Sequence, residues 1–237
     1  KLVWKKDLGV LQAAFFKVPD AQWGFASSPA IDDDVVYVQA DVLPSGFLAA
    51  FSLADGRELW RTAREDVPTW STPTVHDIGG RKIVLVNGWK HAGAYDAKTG
   101  KQVWKLAGQG DIPVPTPFVV DDLVFLSQAH GPGSPVYVVK ADATGDITLA
   151  PEARSNAGIV WSLERGGSYI PTPIVYERVL YVGRDNGVFT AYRAKTGEQL
   201  YQQRLGGGSG GFSASLVAAD GKVYVGSLRG DFWPLAA

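Results

Sequence analysis

Ala94-Tyr95-Asp96-Ala97-Lys98-Thr99-Gly100-Lys101-Gln102-Val103-Trp104 reads as a strand end, a tight hairpin and the start of a second strand that carries an indole. The frame returns as Ala50 to Trp60, with Ser52 at the Asp position. It returns again as Ala191 to Tyr201, with Arg193 for Asp and Tyr for Trp. A small Ala lets neighbouring sheets approach, Gly takes the positive φ of the hairpin, and Trp fills a wedge between sheets. These residue types build a scaffold; none of them performs chemistry here.

Upstream of each frame lies a second recurring element: Ser28-Pro29-Ala30-Ile31, Thr72-Pro73-Thr74-Val75, Thr116-Pro117-Phe118-Val119, Thr172-Pro173-Ile174-Val175 and the weaker Ser215-Leu216-Val217-Ala218. Successive anchors are 44, 44, 56 and 43 residues apart. A polar turn follows each anchor, then a β-branched or aromatic run: Val35 to Val38, Ile83 to Val86, Leu123 to Leu126, Val179 to Val182 and Val223 to Val225. Such runs read as buried strands. Third strands are expected at Phe47 to Ser52, Ala92 to Asp96, Val136 to Lys140, Val188 to Arg193 and Asp231 to Leu235, and a fourth strand around each of Trp60, Trp104, Trp161 and Tyr201. Four strands in roughly 40–45 residues make a propeller blade. The fold class expected is therefore all-β: a single domain over residues 1–237, a β-propeller of four-stranded antiparallel blades, with five blades.

The fifth repeat stops at Ala237 without a fourth strand, while Leu2-Val3-Trp4-Lys5 resembles Gln102-Val103-Trp104-Lys105. The N-terminal strand is thus expected to complete the last blade and close the ring, which removes two open sheet edges. The long third interval requires an insertion, read as a surface loop at residues 146–158 for its Pro, Arg, Ser and Asn content.

Composition narrows the function classes. Apolar residues are 46% and charged residues 20%, with 28 Gly and 14 Pro, the balance of a soluble, turn-rich globular protein. A net charge of -1 without a Lys or Arg run gives no footprint for nucleic acid. The longest apolar stretches are strand-sized, short of the roughly 20 residues of a membrane-spanning helix, so no membrane insertion is expected. The chain carries no targeting signal, and oligomeric state is not encoded in any pattern it shows. It has no Cys, which removes disulfides and thiolate metal sites, and no Met, which hints at sequence editing or design.

The Ala-x-Asp-x-x-x-Gly-x-x-x-Trp frame resembles the tryptophan-docking motif of quinoprotein-type propellers, the pyrroloquinoline-quinone-like repeat family. The resemblance extends over nearly the whole chain. It includes non-enzymatic bacterial members, such as the periplasmic lipoprotein of the outer-membrane β-barrel assembly machinery. It implies a periplasmic or extracellular location. Family members usually have seven or eight blades, so five repeats look like a portion of a ring or an engineered variant. The enzymes of the fold class hold the quinone over a Trp and beside Ca²⁺, with a catalytic Asp and often a vicinal disulfide, for which this sequence has no Cys pair.

No catalytic, cofactor-binding or metal-ligating residue is assigned from the sequence. Asp185-Asn186-Gly187 sits where a two-residue hairpin loop is expected, and Asp32-Asp33-Asp34 where a polar turn is needed. Gly206 to Gly211 reads as a connector, not a phosphate cradle. Three His, at 76, 91 and 130, fall short of a zinc site, with His76 on the opposite face from the other two. Loops joining second to third strands, and fourth strands to the next blade, gather on one face. There they collect Trp23, Phe25, Trp70, Tyr169 and Phe212 from one loop class, and Trp89, His91, His130, Arg184, Asp185 and Arg229 from the other. Phe25, Trp70, Tyr169 and Phe212 also have the offsets of caps over inter-blade gaps, whereas Trp89 is not required by the repeat. The candidate partner-binding face is Trp89, His91, His130, Trp70, Tyr169, Arg184 and Arg229, and a non-catalytic scaffold for a protein or peptide is the first reading. A dehydrogenase dependent on pyrroloquinoline quinone and calcium is the alternative, and an engineered propeller without biological activity the third.

Overall fold

A computed structural model describes the chain except for residues 16, 19, 109, 132 and 207–210. Among the described residues there is no helix, and the strands form five successive sheets. The first blade contains β1 (Ala30–Asp32), β2 (Val35–Ala40), β3 (Gly46–Ser52) and β4 (Glu58–Arg64). The second contains β5 (Thr74–Ile78), β6 (Arg81–Val86), β7 (His91–Asp96) and β8 (Gln102–Ala107). The third is β9 (Phe118–Val120), β10 (Leu123–Ser127), β11 (Val136–Lys140) and, after the short β12 (Gly145–Asp146), β13 (Ile159–Leu163). The fourth is β14 (Ile174–Tyr176), β15 (Val179–Gly183), β16 (Val188–Arg193) and β17 (Gln199–Arg204), and the fifth β18 (Val217–Ala219), β19 (Lys222–Gly226) and β20 (Phe232–Ala236). All pairings within blades are antiparallel meanders, so the propeller-type architecture read from the repeat is the one observed.

The docking motif works between blades rather than within them. Trp60 of the first blade donates its Nε1–H to the Ala97 carbonyl of the second at 2.9 Å, and Trp161 of the third donates to Ala194 of the fourth at 2.9 Å. A Cβ on Gly100 would stand 2.5 Å from the Trp60 ring, and one on Gly197 2.7 Å from Trp161. Both glycines also hold φ near +70°, at +71° and +75°, so the motif needs Gly for conformation and for close approach together. Trp104 is buried with Ala141 and Ala143 of the third blade. In the first, second and fourth blades the register shifts beside the motif's Ala, between Ala50/Phe51, Ala94/Tyr95 and Ala191/Tyr192, and in the third at the corresponding place between Val138/Val139. A bulge there bends the third strand and turns the hairpin toward the neighbouring indole. The anchors join blades as well: backbone N–H groups of Ser28, Thr116 and Thr172 donate to the hydroxyls of Thr72, Thr172 and Ser215 at 3.3, 3.1 and 3.1 Å.

The insertion is more than a surface loop. Its first residue, Asp146, completes β12 with the preceding Gly145, and β12 pairs in parallel with β8 of the preceding blade through Gly145↔Trp104 and Asp146↔Lys105. Ile147 is buried in the core shared by the second and third blades. The segment covers the outer edge of β8 and ties two blades together.

Among the described residues of 1–29, Leu2 to Lys5 included, none lies in a strand. Trp4 nevertheless docks as an indole of the motif does. Its Nε1–H donates to the Leu53 carbonyl at 2.6 Å, and a Cβ on Gly56 would lie 2.6 Å from its ring. Leu8 and Leu11 continue the contact across Val36, Ala49 and Phe51. The docking half of the expected closure is therefore present, and the ladder half is not among the pairings of the described residues. Deleting residues 1–6 is expected to lower the thermal unfolding temperature by removing Trp4 from its socket; an unchanged melting curve would show that the contact carries no stability.

The fifth blade presents an uncovered face. Tyr224 and Phe232 stack at 5.5 Å there, with Phe232 64% and Val217 60% exposed. The equivalent pair one blade earlier, Tyr181 and Phe189, stacks at 5.8 Å and is buried beneath Leu216, Val223 and Val225.

Candidate functional site

The loops between second and third strands and those between blades gather two clusters on one face. The first centres on Asp111, whose side chain is 2% exposed. His130 Nδ1–H donates to Asp111 Oδ1 at 2.7 Å, since an ionised carboxylate only accepts, and Lys17 Nζ donates to Oδ2 at 2.7 Å. Burial alone raises a carboxyl pKa, but the bonds from Lys17 and His130 outweigh it and hold Asp111 below the usual carboxylate range. The backbone is shaped around this carboxylate. Ile112 lies at φ +55°, a conformation that a β-branched residue adopts only when its surroundings impose it. Gly131, at φ +73°, faces Asp111 so closely that any Cβ would collide with the carboxyl group.

Aromatic rings frame the cluster. Tyr169 lies 5.0 Å from His130, and Phe15 meets the same imidazole edge-on at 6.1 Å. Phe15 stacks on Trp23 at 5.5 Å, and Trp23 contacts Trp70 at 5.4 Å. Burial, then the charges of Asp185 and Asp111, push the Tyr169 phenol up. Phe15, Lys17 and Trp23 belong to a small hairpin of the N-terminal segment, closed by the bridge Ala14↔Gln22 and by Trp23 N–H to Ala13 O at 3.1 Å.

The second cluster lies deeper, where Arg64, Asp41 and Asp66 all have side chains with 0% exposure. Arg64 donates to Asp41 Oδ1 and Oδ2 at 2.6 and 3.1 Å, to Tyr95 Oη at 2.7 Å and to Asp66 Oδ2 at 3.3 Å. Burial disfavours the guanidinium charge, but Asp41, Tyr95 and Asp66 together more than compensate and keep Arg64 above its ordinary pKa. Burial and then Asp41 push Asp66 up, against Arg64. Burial and then Arg64 push His91 down. Asp66 also accepts the N–H groups of Val67 and Lys90 at 2.8 and 3.0 Å, which fixes the loop carrying Trp89. Gly88 is required there because a Cβ would strike the Arg64 and Asp66 side chains. Gln39, Asn87 and Gln128 extend the polar belt across three blades: Gln39 Nε2 donates to Asn87 O at 2.7 Å, and Gln128 to Asn87 Oδ1.

The structure thus brings His130, Tyr169 and Trp70 to the Asp111 face and places His91 in the Arg64 network. His91 and His130 are engaged by different carboxylates. Trp89 is half-buried, and Arg184 and Arg229 lie in the β15–β16 and β19–β20 turns, away from Asp111's hydrogen bonds. Phe25 and Phe212 pack into blade cores, Phe212 against Trp233 at 5.3 Å. Asp185-Asn186-Gly187 is a turn, with Gly187 N–H bonded to Arg184 O at 2.9 Å. Asp32 and Asp33 both bind Lys82, in a groove of about 450 Å³ between the first two blades on the opposite face. His76 bonds to Thr74 Oγ1 at 3.0 Å. Residues 207–210 of the Gly-rich run lie outside the described residues. Asp111, Lys17, Arg64, Asp41 and Asp66 were not singled out by sequence reasoning; Arg64 alone left a signal, as a charge on the Trp60 face of its strand.

The family model described as outer membrane protein assembly factor BamB matches residues 1–144 and 153–237, sparing part of the insertion. The chain belongs to this family. BamB from Moraxella catarrhalis superimposes with a TM-score of 0.61 at 17% identity, covering 89% of this chain and 58% of that one. A quinohemoprotein alcohol dehydrogenase from Pseudomonas putida HK5 gives a TM-score of 0.64 at 17% identity, covering 100% and 42%. Among curated proteins, tetrathionate hydrolase of Acidithiobacillus ferrooxidans is 26% identical over 127 residues, 48% of this chain and 25% of the relative. The chain therefore spans about a quarter of the length of its curated relative and between two fifths and three fifths of these two structures. At such identities the structural likeness to BamB and to the dehydrogenase concerns the fold.

Proposed function

We propose that this chain is a non-catalytic binding or scaffold propeller that presents its loop face to a protein or peptide partner, in the periplasm or outside the cell. The observation that carries this reading is the Asp111 face: a buried carboxylate, an imidazole and the rings of Tyr169 and Trp70 on a rigid blade framework. Aromatic side chains around a shielded charge are the composition of interface hot spots. Membership of a family described as an outer-membrane assembly factor agrees with both the partner class and the location.

Dehydrogenase chemistry with pyrroloquinoline quinone and calcium fits these residues poorly. Calcium takes 6–8 oxygen ligands, as a rule with several carboxylates. Among the described residues no three His, Asp or Glu side chains form a group that could hold a metal ion. Three carboxylates of the loop face, Asp111, Asp41 and Asp66, are bound to Lys17, His130 and Arg64. The test is a titration of the protein with quinone and Ca²⁺, following Trp fluorescence and dye reduction, beside an array of immobilised peptides probed with the same protein. The expected result is no turnover and array binding that Tyr169→Ala weakens at least about tenfold, the loss of one aromatic contact worth roughly 1.4 kcal/mol, while Lys98→Ala on the opposite face leaves it unchanged. Saturable quinone binding with turnover would overturn the reading.

A further inference from the structure

The Asp111 face already holds a peptide, supplied by the chain itself. Phe15, Lys17 and Trp23 reach it from the N-terminal segment, with Gln12 bridged to Leu43 and the hairpin base sealed by buried Ala13 and Ala14. The contacts outward from that base are of two kinds. Lys17 donates to Asp111 across 94 positions of sequence, and its ammonium lies 5.6 Å from the Phe15 ring centroid. Phe15 sits against His130, and Trp23 against Trp70. On the receiving side, nothing in the repeat requires a carboxylate 2% exposed, and Ile112 and Gly131 adopt positive φ around it. A carboxylate so placed needs a cation to offset its lost hydration. Each half of the contact is therefore specific: a buried anion framed by rings, met by a lysine two residues beyond an aromatic side chain.

We propose that the loop face is a peptide-binding seat selective for an aromatic side chain followed two residues later by lysine, and that residues 12–23 are its resident occupant, displaced when a partner segment of this chemistry binds. The proposal rests on the loop-face reading above and adds the class of ligand and the competitor. It requires that the seat accept the same sequence from outside.

The probe is a fluorescein-labelled synthetic peptide of residues 12–23, followed by anisotropy with two proteins, the parent chain of residues 1–237 and its variant Phe15→Ala/Lys17→Glu, whose own hairpin no longer fits. Saturable binding to the variant is expected, at least about tenfold tighter than to the parent, and a peptide carrying Lys17→Glu should bind the variant at least about tenfold more weakly. A variant that keeps the parent's circular dichroism and does not bind, or binds both peptides alike, overturns the proposal. Should the double variant fail to fold, Asp111→Asn in the intact chain replaces it. Trypsin cleavage after Lys17, read by mass spectrometry, is then expected to be at least about tenfold faster than in the parent, and an unchanged rate overturns the proposal. Array peptides that bind through Tyr169 without any lysine, when the resident sequence does not bind, would sink this inference while leaving the loop-face function standing.

Discussion

Arg64→Met is expected to destabilise the protein by about 3–5 kcal/mol, the usual cost of removing one partner from a buried ion pair. In a chain of this size that corresponds to a fall of roughly 6–20 °C in unfolding temperature. The guanidinium is the only cation bonded to both Asp41 and Asp66 among the described residues, and all three side chains have 0% exposure. Methionine restores much of the volume but leaves two carboxylates in the interior and Tyr95 with Gln102 as its one remaining donor among the described residues. The loop at Val67 and the loop at Lys90 both hang on Asp66, so the loss extends to the face that carries Trp70 and Trp89. A second substitution, Asp41→Asn, made in the Arg64→Met background, should recover a measurable part, because it removes one of the stranded charges. Urea unfolding of the single and double variants checks this. A single-variant loss under about 1 kcal/mol would mean the network contributes no more than an exposed pair.

Trp161→Ala should cost a comparable 3–5 kcal/mol, as large-to-small changes of buried aromatics do. The indole is 7% exposed and packs in one cluster with Leu180, Val182, Tyr192 and Ala194 of the fourth blade. Its hydrogen bond to Ala194 O is a smaller part of the total, so Trp161→Phe is expected to lose only about 1 kcal/mol from that bond, plus a packing defect. Gly197→Ala attacks the same contact from the other side, since its Cβ would lie 2.7 Å from the ring at φ +75°. Hydrogen exchange is the informative measurement. Protection in β13 and β16 should fall together in Trp161→Ala while β2 and β3, two blades away, keep theirs. Uniform loss across all blades would show that the molecule unfolds as one unit rather than blade by blade.

Most of the scaffold was legible because its information is local and repeated. The second-strand runs such as Val179 to Val182 became β15 and its equivalents, and the frames at Ala50, Ala94 and Ala191 marked the hairpins that receive Trp4, Trp60 and Trp161. Asp96 shows why the motif carries that residue: its Oδ1 caps the turn through Thr99 N–H at 2.8 Å while Oδ2 takes Arg81. The site was far less legible. Lys17 and Asp111 are 94 positions apart and obey no period, so their meeting is visible only once the blades are assembled. The parallel pairing of β12 with β8 was equally hidden, because an open sheet edge recruits backbone, and backbone leaves no pattern in side-chain identity. Arg64 was the exception. It shares a strand face with Trp60 and Thr62, where alternation demands an apolar residue, and a charge in that place announces a buried partner.

The indoles of Trp4, Trp60 and Trp161 each reach forward along the chain into the turn of a later blade, and none reaches back. The stack of blades therefore has a polarity, like a row of hooks and eyes sewn in one direction. Cutting the chain between two blades would leave a hook on the N-terminal fragment and an empty eye on the C-terminal one, a matched pair of ends by which separately made halves can find each other in the right order.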